Sequence, residues 1–152
     1  MILYINTRNS FDRIMSYKLL EHATDAFIEV TAPNLEEAFV SAGESVVDIT
    51  LDQKLVKEVE QKTLIVTGED LDFLLFNWLE EVIYQLITEG FAIHRFSLKI
   101  SKNSKYNLTA KAFGEVIDLK RHRFKVEIKA PTFHLMEIKQ NGDVTMRFLL
   151  DL

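Results

Sequence analysis

The chain has 152 residues, 47% of them hydrophobic, a formal charge of −5 and no cysteine. That length suits one domain able to take roughly two-thirds of its unfolded surface out of water, and the missing thiols exclude a disulfide framework, a thiol nucleophile, a thiolate zinc site and an iron–sulfur cluster. The acidic balance argues against non-specific nucleic-acid binding over the whole surface, which needs surplus Lys and Arg to neutralise phosphates, so any RNA is expected to be reached through a partner.

Residues 1–14 (MILYINTRNSFDRI) read as an N-terminal extension, either disordered or adding an edge strand, ahead of a single domain over 15–152, and Met15 offers an alternative start. The extension lacks the cationic start, long apolar stretch and cleavage site of a secretory signal. No apolar run reaches the ~20 residues that span a bilayer, so a cytoplasmic protein without membrane contact is expected. Residues 17–32 alternate apolar and polar, with Ile28 and Val30 on one face, as a half-buried strand does. Pro33-Asn34 stops it. Asn34 is a good N-cap, Glu36 and Glu37 suit the first turn, and apolar residues from Leu35 to Ile49 recur at helical spacing, which predicts a core-packing helix. The β-branched run 63–67 (TLIVT) predicts a buried strand, and Gly68-Glu69-Asp70 opens a second helix. Its stripe of Leu71, Leu74, Leu75, Trp78, Leu79, Val82, Ile83 and Leu86 is broader than a surface helix needs, with Glu80 and Glu81 as the solvated side. After Gly90 the text predicts strands at 94–101, 106–117, 124–129, 132–140 and 145–151, with turns at Asn103 and Asn141-Gly142, the latter favouring positive φ. This order gives an α+β fold, two helices packed on a largely antiparallel sheet.

Two carboxylates stand at strand ends. Asp25 precedes the strand ending at Ala32, and Asp151 ends the last strand beside the carbonyl and terminal carboxylate of Leu152. If those ends are neighbours they offer oxygens to one hard cation such as Ca²⁺, Mg²⁺ or Mn²⁺. Like charges ~4 Å apart at a partly wet surface repel by on the order of 1–4 kcal/mol, which a cation or Lys129 would offset. Read from the residues alone, Lys129 is a strand lysine paired with Glu127 or a nearby acid. The basic run Lys120, Arg121, His122, Arg123 and Lys125 reads as a solvated hairpin end or as a docking surface for a partner or its RNA. His94 and His122 read as surface residues, His22 and His134 as hydrogen-bonded structural histidines. There is no P-loop, dinucleotide fingerprint, nucleophile elbow or paired-histidine zinc motif.

The words His22-Ala23-Thr24-Asp25, residues 127–134 (EIKAPTFH) and Asp151-Leu152, with the helical phrase 70–84 (DLDFLLFNWLEEVIY), resemble the archease family over almost all of residues 17–152. The resemblance implies a fold of strand-helix-strand-strand modules, one inserted in another. It implies a non-catalytic activator of the tRNA-splicing and RNA-repair ligase, which joins RNA ends bearing a 2′,3′-cyclic phosphate or 3′-phosphate to a 5′-hydroxyl. The family's role is to promote metal- and GTP-dependent guanylylation of that ligase and its multiple turnover. Carried over by motif, Asp25 and Asp151 are metal ligands with the backbone of Leu152, Lys129 serves ligase activation, and Asp52 falls near a further acidic position. The implied cofactor is a divalent cation, Ca²⁺ in the isolated protein and Mn²⁺ or Mg²⁺ in function. The chain departs from the pattern in reading His-Ala-Thr-Asp for His-Thr-Ala-Asp, in its Ala32-Pro33-Asn34 turn and at Pro131; the first swap places Thr24 where it can hydrogen-bond Asp25. The competing readings are a metal-dependent hydrolase or nuclease using the same carboxylates, and a broader folding modulator of RNA-processing enzymes.

Overall fold

The computed structural model describes residues 2–7 and 24–152; the expectations placed on residues 8–23, His22 among them, lie outside the described residues. In chain order the elements are β1 (Ile2–Thr7), β2 (Asp25–Ala32), α1 (Leu35–Thr50), a 3₁₀ turn (Gln53–Leu55), β3 (Glu60–Gly68), α2 (Leu71–Ile87), β4 (Phe91–Lys102), β5 (Tyr106–Val116), β6 (Ala130–Asn141) and β7 (Asp143–Asp151). The strands divide between two sheets, ordered β1-β2-β7-β6 and β3-β5-β4. β1 runs parallel to β2, and every other pairing is antiparallel.

The topology is a nested duplication. β2-α1-β6-β7 forms one strand-helix-strand-strand module and β3-α2-β4-β5 is inserted within it; in each, the last strand lies between the other two. Where the sequence alone suggests one sheet, each module builds its own.

Local chemistry starts both helices. Asn34 accepts the Glu37 amide at 2.9 Å and Asp70 the Phe73 amide at 2.9 Å, each satisfying one of the orphan donors of a first turn. The helices pack on each other and each touches both sheets, which explains the breadth of the α2 stripe. Leu74, Leu75, Trp78, Leu79 and Val82 are fully buried there, each contributing about 1.5–3 kcal/mol of apolar burial. The Trp78 indole donates to the Phe39 carbonyl at 2.9 Å and meets the Phe96 ring edge-on at 5.2 Å. Gly142 takes φ 83° in the β6–β7 turn, as that turn chemistry requires.

One expected strand is absent. Residues 124–129 join no ladder; they are held by isolated bonds from the Lys125 amide to the Thr50 carbonyl (2.7 Å) and from the Lys129 amide to the Asp151 carbonyl (2.8 Å). The alternation of Phe124, Val126 and Ile128 records one-sided burial, with Ile128 in the core, rather than strand pairing.

Candidate carboxylate site at a sheet end

Ala26, Ile28, Val30 and Ala32 of β2 face the core, so Asp25 falls on the outer face at the strand's first position. Antiparallel register sets Asp25 directly opposite Asp151, the last residue of β7. Directly opposed residues project to the same face with Cβ atoms ~4.5–5.5 Å apart. The Thr24 hydroxyl donates to Asp25 Oδ2 at 3.2 Å, and the Leu152 amide donates to the Thr24 carbonyl at 2.9 Å. The Lys129 amide holds the Asp151 carbonyl, and the following Ala130 is the register partner of Asp151. The fold therefore gathers Asp25, Asp151, Leu152 and Lys129 at one end of the four-stranded sheet. Lys129 is exposed, and among the described residues its ammonium makes no ion pair, with Glu127 or any other acid.

Asp52 is not part of this gathering. It caps the 3₁₀ turn, its Oδ1 accepting from the Lys54 amide at 3.2 Å while its own amide donates to the His122 carbonyl at 2.9 Å. Among the described residues no three His, Asp or Glu side chains converge closely enough to share a metal. Nor is His122 at the surface as its charged neighbours suggest. It is fully buried, because the chain turns back after β5 and folds the ring against the Asp118 amide and the Glu115 carboxylate. Its Nδ1 accepts from the Asp118 amide at 2.9 Å, which assigns the proton to Nε2 and a 3.0 Å hydrogen bond to Glu115.

The second sheet provides an internal control at the corresponding end, where β3 starts and β5 finishes. There Glu115 accepts two hydrogen bonds from the Arg121 guanidinium (3.0 and 2.9 Å), one from the Lys57 amide (2.8 Å) and one from His122. Those donors, Arg121 foremost, hold its carboxyl down at about 2. Glu58, just before β3, takes the Arg95 fork (3.2 and 3.0 Å) and His94 (2.7 Å), and is likewise held at about 2. On the outer face of the first sheet Arg147 lies 2.7 Å from Glu29 and 4.0 Å from Glu137, which also meets Lys139 at 2.9 Å. Asp25 and Asp151 alone among these acids receive no side-chain cation from the described residues. Reading the sequence misses the Glu58 and Glu115 clusters; the trace it offers is Arg121-His122 placed to fold back on Glu115 across a turn.

The donors at the Asp25 end are all oxygens. Two opposed carboxylates with hydroxyl and main-chain oxygens beside them suit a hard divalent cation whose remaining positions go to water or a partner.

These features define a small α+β protein of nested strand-helix-strand-strand modules whose carboxylate pair at one sheet end, among the described residues, meets no side-chain cation and stands beside a lysine without an ion pair. The Archease protein family (MTH1598/TM1083) model matches residues 17–152, and the chain belongs to that family. Protein archease of Pyrobaculum neutrophilum is 35% identical over 139 residues, covering 90% of this chain and 95% of the relative. That of Pyrococcus abyssi is 39% identical over 124 residues, 81% and 87% of the two chains. The solution structure of Methanobacterium thermoautotrophicum protein 1598 superposes with a TM-score of 0.72 at 34% identity, covering 88% of this chain and 96% of that one. The crystal structure of a Thermotoga maritima archease, described as a possible chaperone, shares the fold at a TM-score of 0.59 and 18% identity, over 89% and 96% of the chains. No helix among the described residues is long and apolar enough to cross a membrane.

Proposed function

We propose that this archease-family protein activates the 3′-phosphate-joining RNA ligase of tRNA splicing and RNA repair, promoting its metal- and GTP-dependent guanylylation and its repeated turnover. The observation that carries this reading is the register-paired Asp25 and Asp151, which among the described residues receive no side-chain cation and lie beside Lys129, itself without an ion pair among them. Asp25, Asp151 and a main-chain oxygen of Leu152 would hold a divalent cation, Ca²⁺ in the isolated protein and Mn²⁺ or Mg²⁺ in function. The bound ion supplies positive charge and Lewis acidity toward phosphate oxygens. The chain's own part is positional. The β2–β7 register fixes the carboxylates, the Thr24 hydroxyl orients Asp25, and the Lys129 side chain reaches out to a phosphate or carboxylate of the partner. Among the described residues no third His, Asp or Glu converges on the pair, which favours a non-catalytic helper; its place in this reading is the cytoplasm, and it meets RNA only through the ligase.

Single-turnover guanylylation of the same organism's ligase, with GTP and Mn²⁺, tests the reading. Wild-type protein accelerates the step and Asp151→Ala does not. Equal rates with wild type, with Asp25→Ala plus Asp151→Ala, and with no addition would falsify it. Phosphodiesterase activity of the isolated protein, abolished by Asp151→Ala, would replace the helper with a metal-dependent nuclease.

A further inference from the structure

On the second sheet, the residues that alternate with the buried Leu64, Val66, Leu108, Ala110 and Ala112 form an outer face, and each of them is exposed or half-buried. Its ladder rows run in unbroken register from Gln61↔Phe113↔Arg95 to Thr67↔Asn107↔Ser101, whereas β6 of the first sheet bulges between Thr132 and Glu137. No Asp or Glu stands in these rows. Their charged members are Arg95, Lys99 and Lys111, and the rest are Thr, Ser, Asn and Gln apart from Phe113 and Ile65. The outer face of the first sheet is acidic among the described residues, with Asp25, Glu29, Glu137 and Asp151 outnumbering Arg147 and Lys139. A surface that only needs solvating intersperses both signs. Here the signs are sorted by face, in a chain at −5.

Lys111 is the diagonal neighbour of both Arg95 and Lys99. The three cations therefore zigzag across β4 and β5 in steps of ~7–8 Å, on the scale of the phosphate repeat of an extended strand. Lys105 prolongs the row at the turn between β4 and β5. Lys99, Lys105 and Lys111 are exposed and make no ion pair among the described residues. Arg95 is held by Glu58 at 3.0 Å, with its guanidinium 4.0 Å from the Phe113 ring centroid and its side chain 49% exposed. The guanidinium plane turned away from the ring can stack an unpaired base. Ser97 and Thr109, register partners of Lys111 and Lys99, add hydroxyl donors of the kind that contact phosphate oxygens. Apolar area is confined to Ile65 and Phe113, too little for the centre of a protein interface, whereas a polyanion needs none.

We infer that the outer face of the β3-β5-β4 sheet is a contact for single-stranded RNA, with phosphates on Lys99, Lys105 and Lys111 and a base on the Arg95 guanidinium. The choice of RNA among polyanions rests on the ligase-activator reading; the inference goes beyond it in giving the RNA that the ligase brings a place on this chain. Three phosphate contacts alone hold a strand weakly at physiological salt, so the ligase remains the main holder of the RNA. Both helices pack between the sheets, so this face looks away from the face of Asp25 and Asp151, and RNA contact and guanylylation are separable.

The test is fluorescence anisotropy of a labelled single-stranded oligoribonucleotide titrated with the full chain between about 50 and 200 mM salt. Melting temperatures and guanylylation of the ligase, a step between ligase and GTP without RNA, are measured for each variant. For wild type, log K should fall against log[salt] with a slope of about −2, from three contacts at ~0.7 each. Lys99→Gln with Lys111→Gln should melt as wild type does and still accelerate guanylylation. It should bind at least roughly tenfold more weakly at low salt, with a slope nearer to about −1. Lys139→Gln, on the first sheet, should bind as wild type. No wild-type binding at about 50 mM salt, or undiminished binding by the double lysine variant, overturns the RNA face and, with guanylylation intact, leaves the activator reading standing. Lysine-dependent RNA binding without any acceleration of guanylylation by wild type overturns the activator reading alone. Guanylylation lost in the double lysine variant, equal lysine-dependent capture of labelled polyglutamate, or lysine-dependent self-association assigns the face to a protein surface and overturns RNA.

Discussion

At the residue scale, the strongest polar investments lie at Glu58 and Glu115, away from the candidate site. Both carboxyls are held at about 2, by Arg95 with His94 and by Arg121 with Lys57 and His122 respectively. A carboxyl depressed in the folded state binds its proton more readily when unfolded, so the stability it adds is complete above the ordinary carboxylate range and disappears as pH falls toward the folded value. Thermal melts should therefore be flat near neutrality and drop between about pH 4.5 and 2. Glu58→Gln with Glu115→Gln should lower the melting temperature at pH 7 and make that acid limb shallower; an unchanged limb would remove these acids as its cause. His122 shows why this cluster was hard to read from sequence. A run of Lys, Arg and His looks solvated, and only the turn at Asp118 to Arg123, with Arg123 at φ 54°, buries its middle residue against Glu115.

At the element scale, both helices were legible because cap, first-turn acids and apolar period agree, and the structure starts them after Asn34 and Asp70 as expected. Strand existence was legible for β2, β3, β4, β5, β6 and β7, while pairing was not: residues 124–129 alternate without joining a ladder. The β6 bulge did leave a trace. Its three extra residues reverse the strand's phase, so Pro131 is buried at an odd position whereas Met136 and Ile138 pack on the core at even ones. Gly114 marks another irregularity, opposite the β4 register shift between Ile93 and Arg95. A Cβ there would stand 1.8 Å from the Ala92 carbonyl oxygen, which backbone cannot yield without breaking the ladder. Gly114→Ala should cost about 2–3 kcal/mol, seen as a lower urea midpoint with an unchanged slope. A midpoint within error of wild type would mean that β4 and β5 can separate freely at that crossing.

At the scale of the whole molecule, the candidate site joins the two ends of the described domain. Asp25 and Asp151 are distant in sequence, and the inserted module lies in the chain between α1 and the β6–β7 hairpin that brings β7 back beside β2. Sequence gave the residue types and their strand ends; the juxtaposition depends on a register that no local pattern encodes, which is why resemblance, not periodicity, pointed to the pair. The same topology leaves the acids of one sheet end paired with Arg95 and Arg121 and those of the other, among the described residues, with no paired cation, in a chain already at −5. An uncompensated pair makes stability depend on cations by mass action: an ion at a hundred times its Kd adds about 2.7 kcal/mol, worth roughly 5–10 °C for a domain of this size. Wild-type protein treated with chelator should thus gain several degrees on adding Ca²⁺ or Mn²⁺. Asp25→Asn with Asp151→Asn, relieved of the repulsion, should melt at or above the chelated wild type and gain nothing from either ion. A wild-type melt indifferent to both ions would mean that the pair holds no cation by itself, and that whatever positive charge it meets must come from the docked partner.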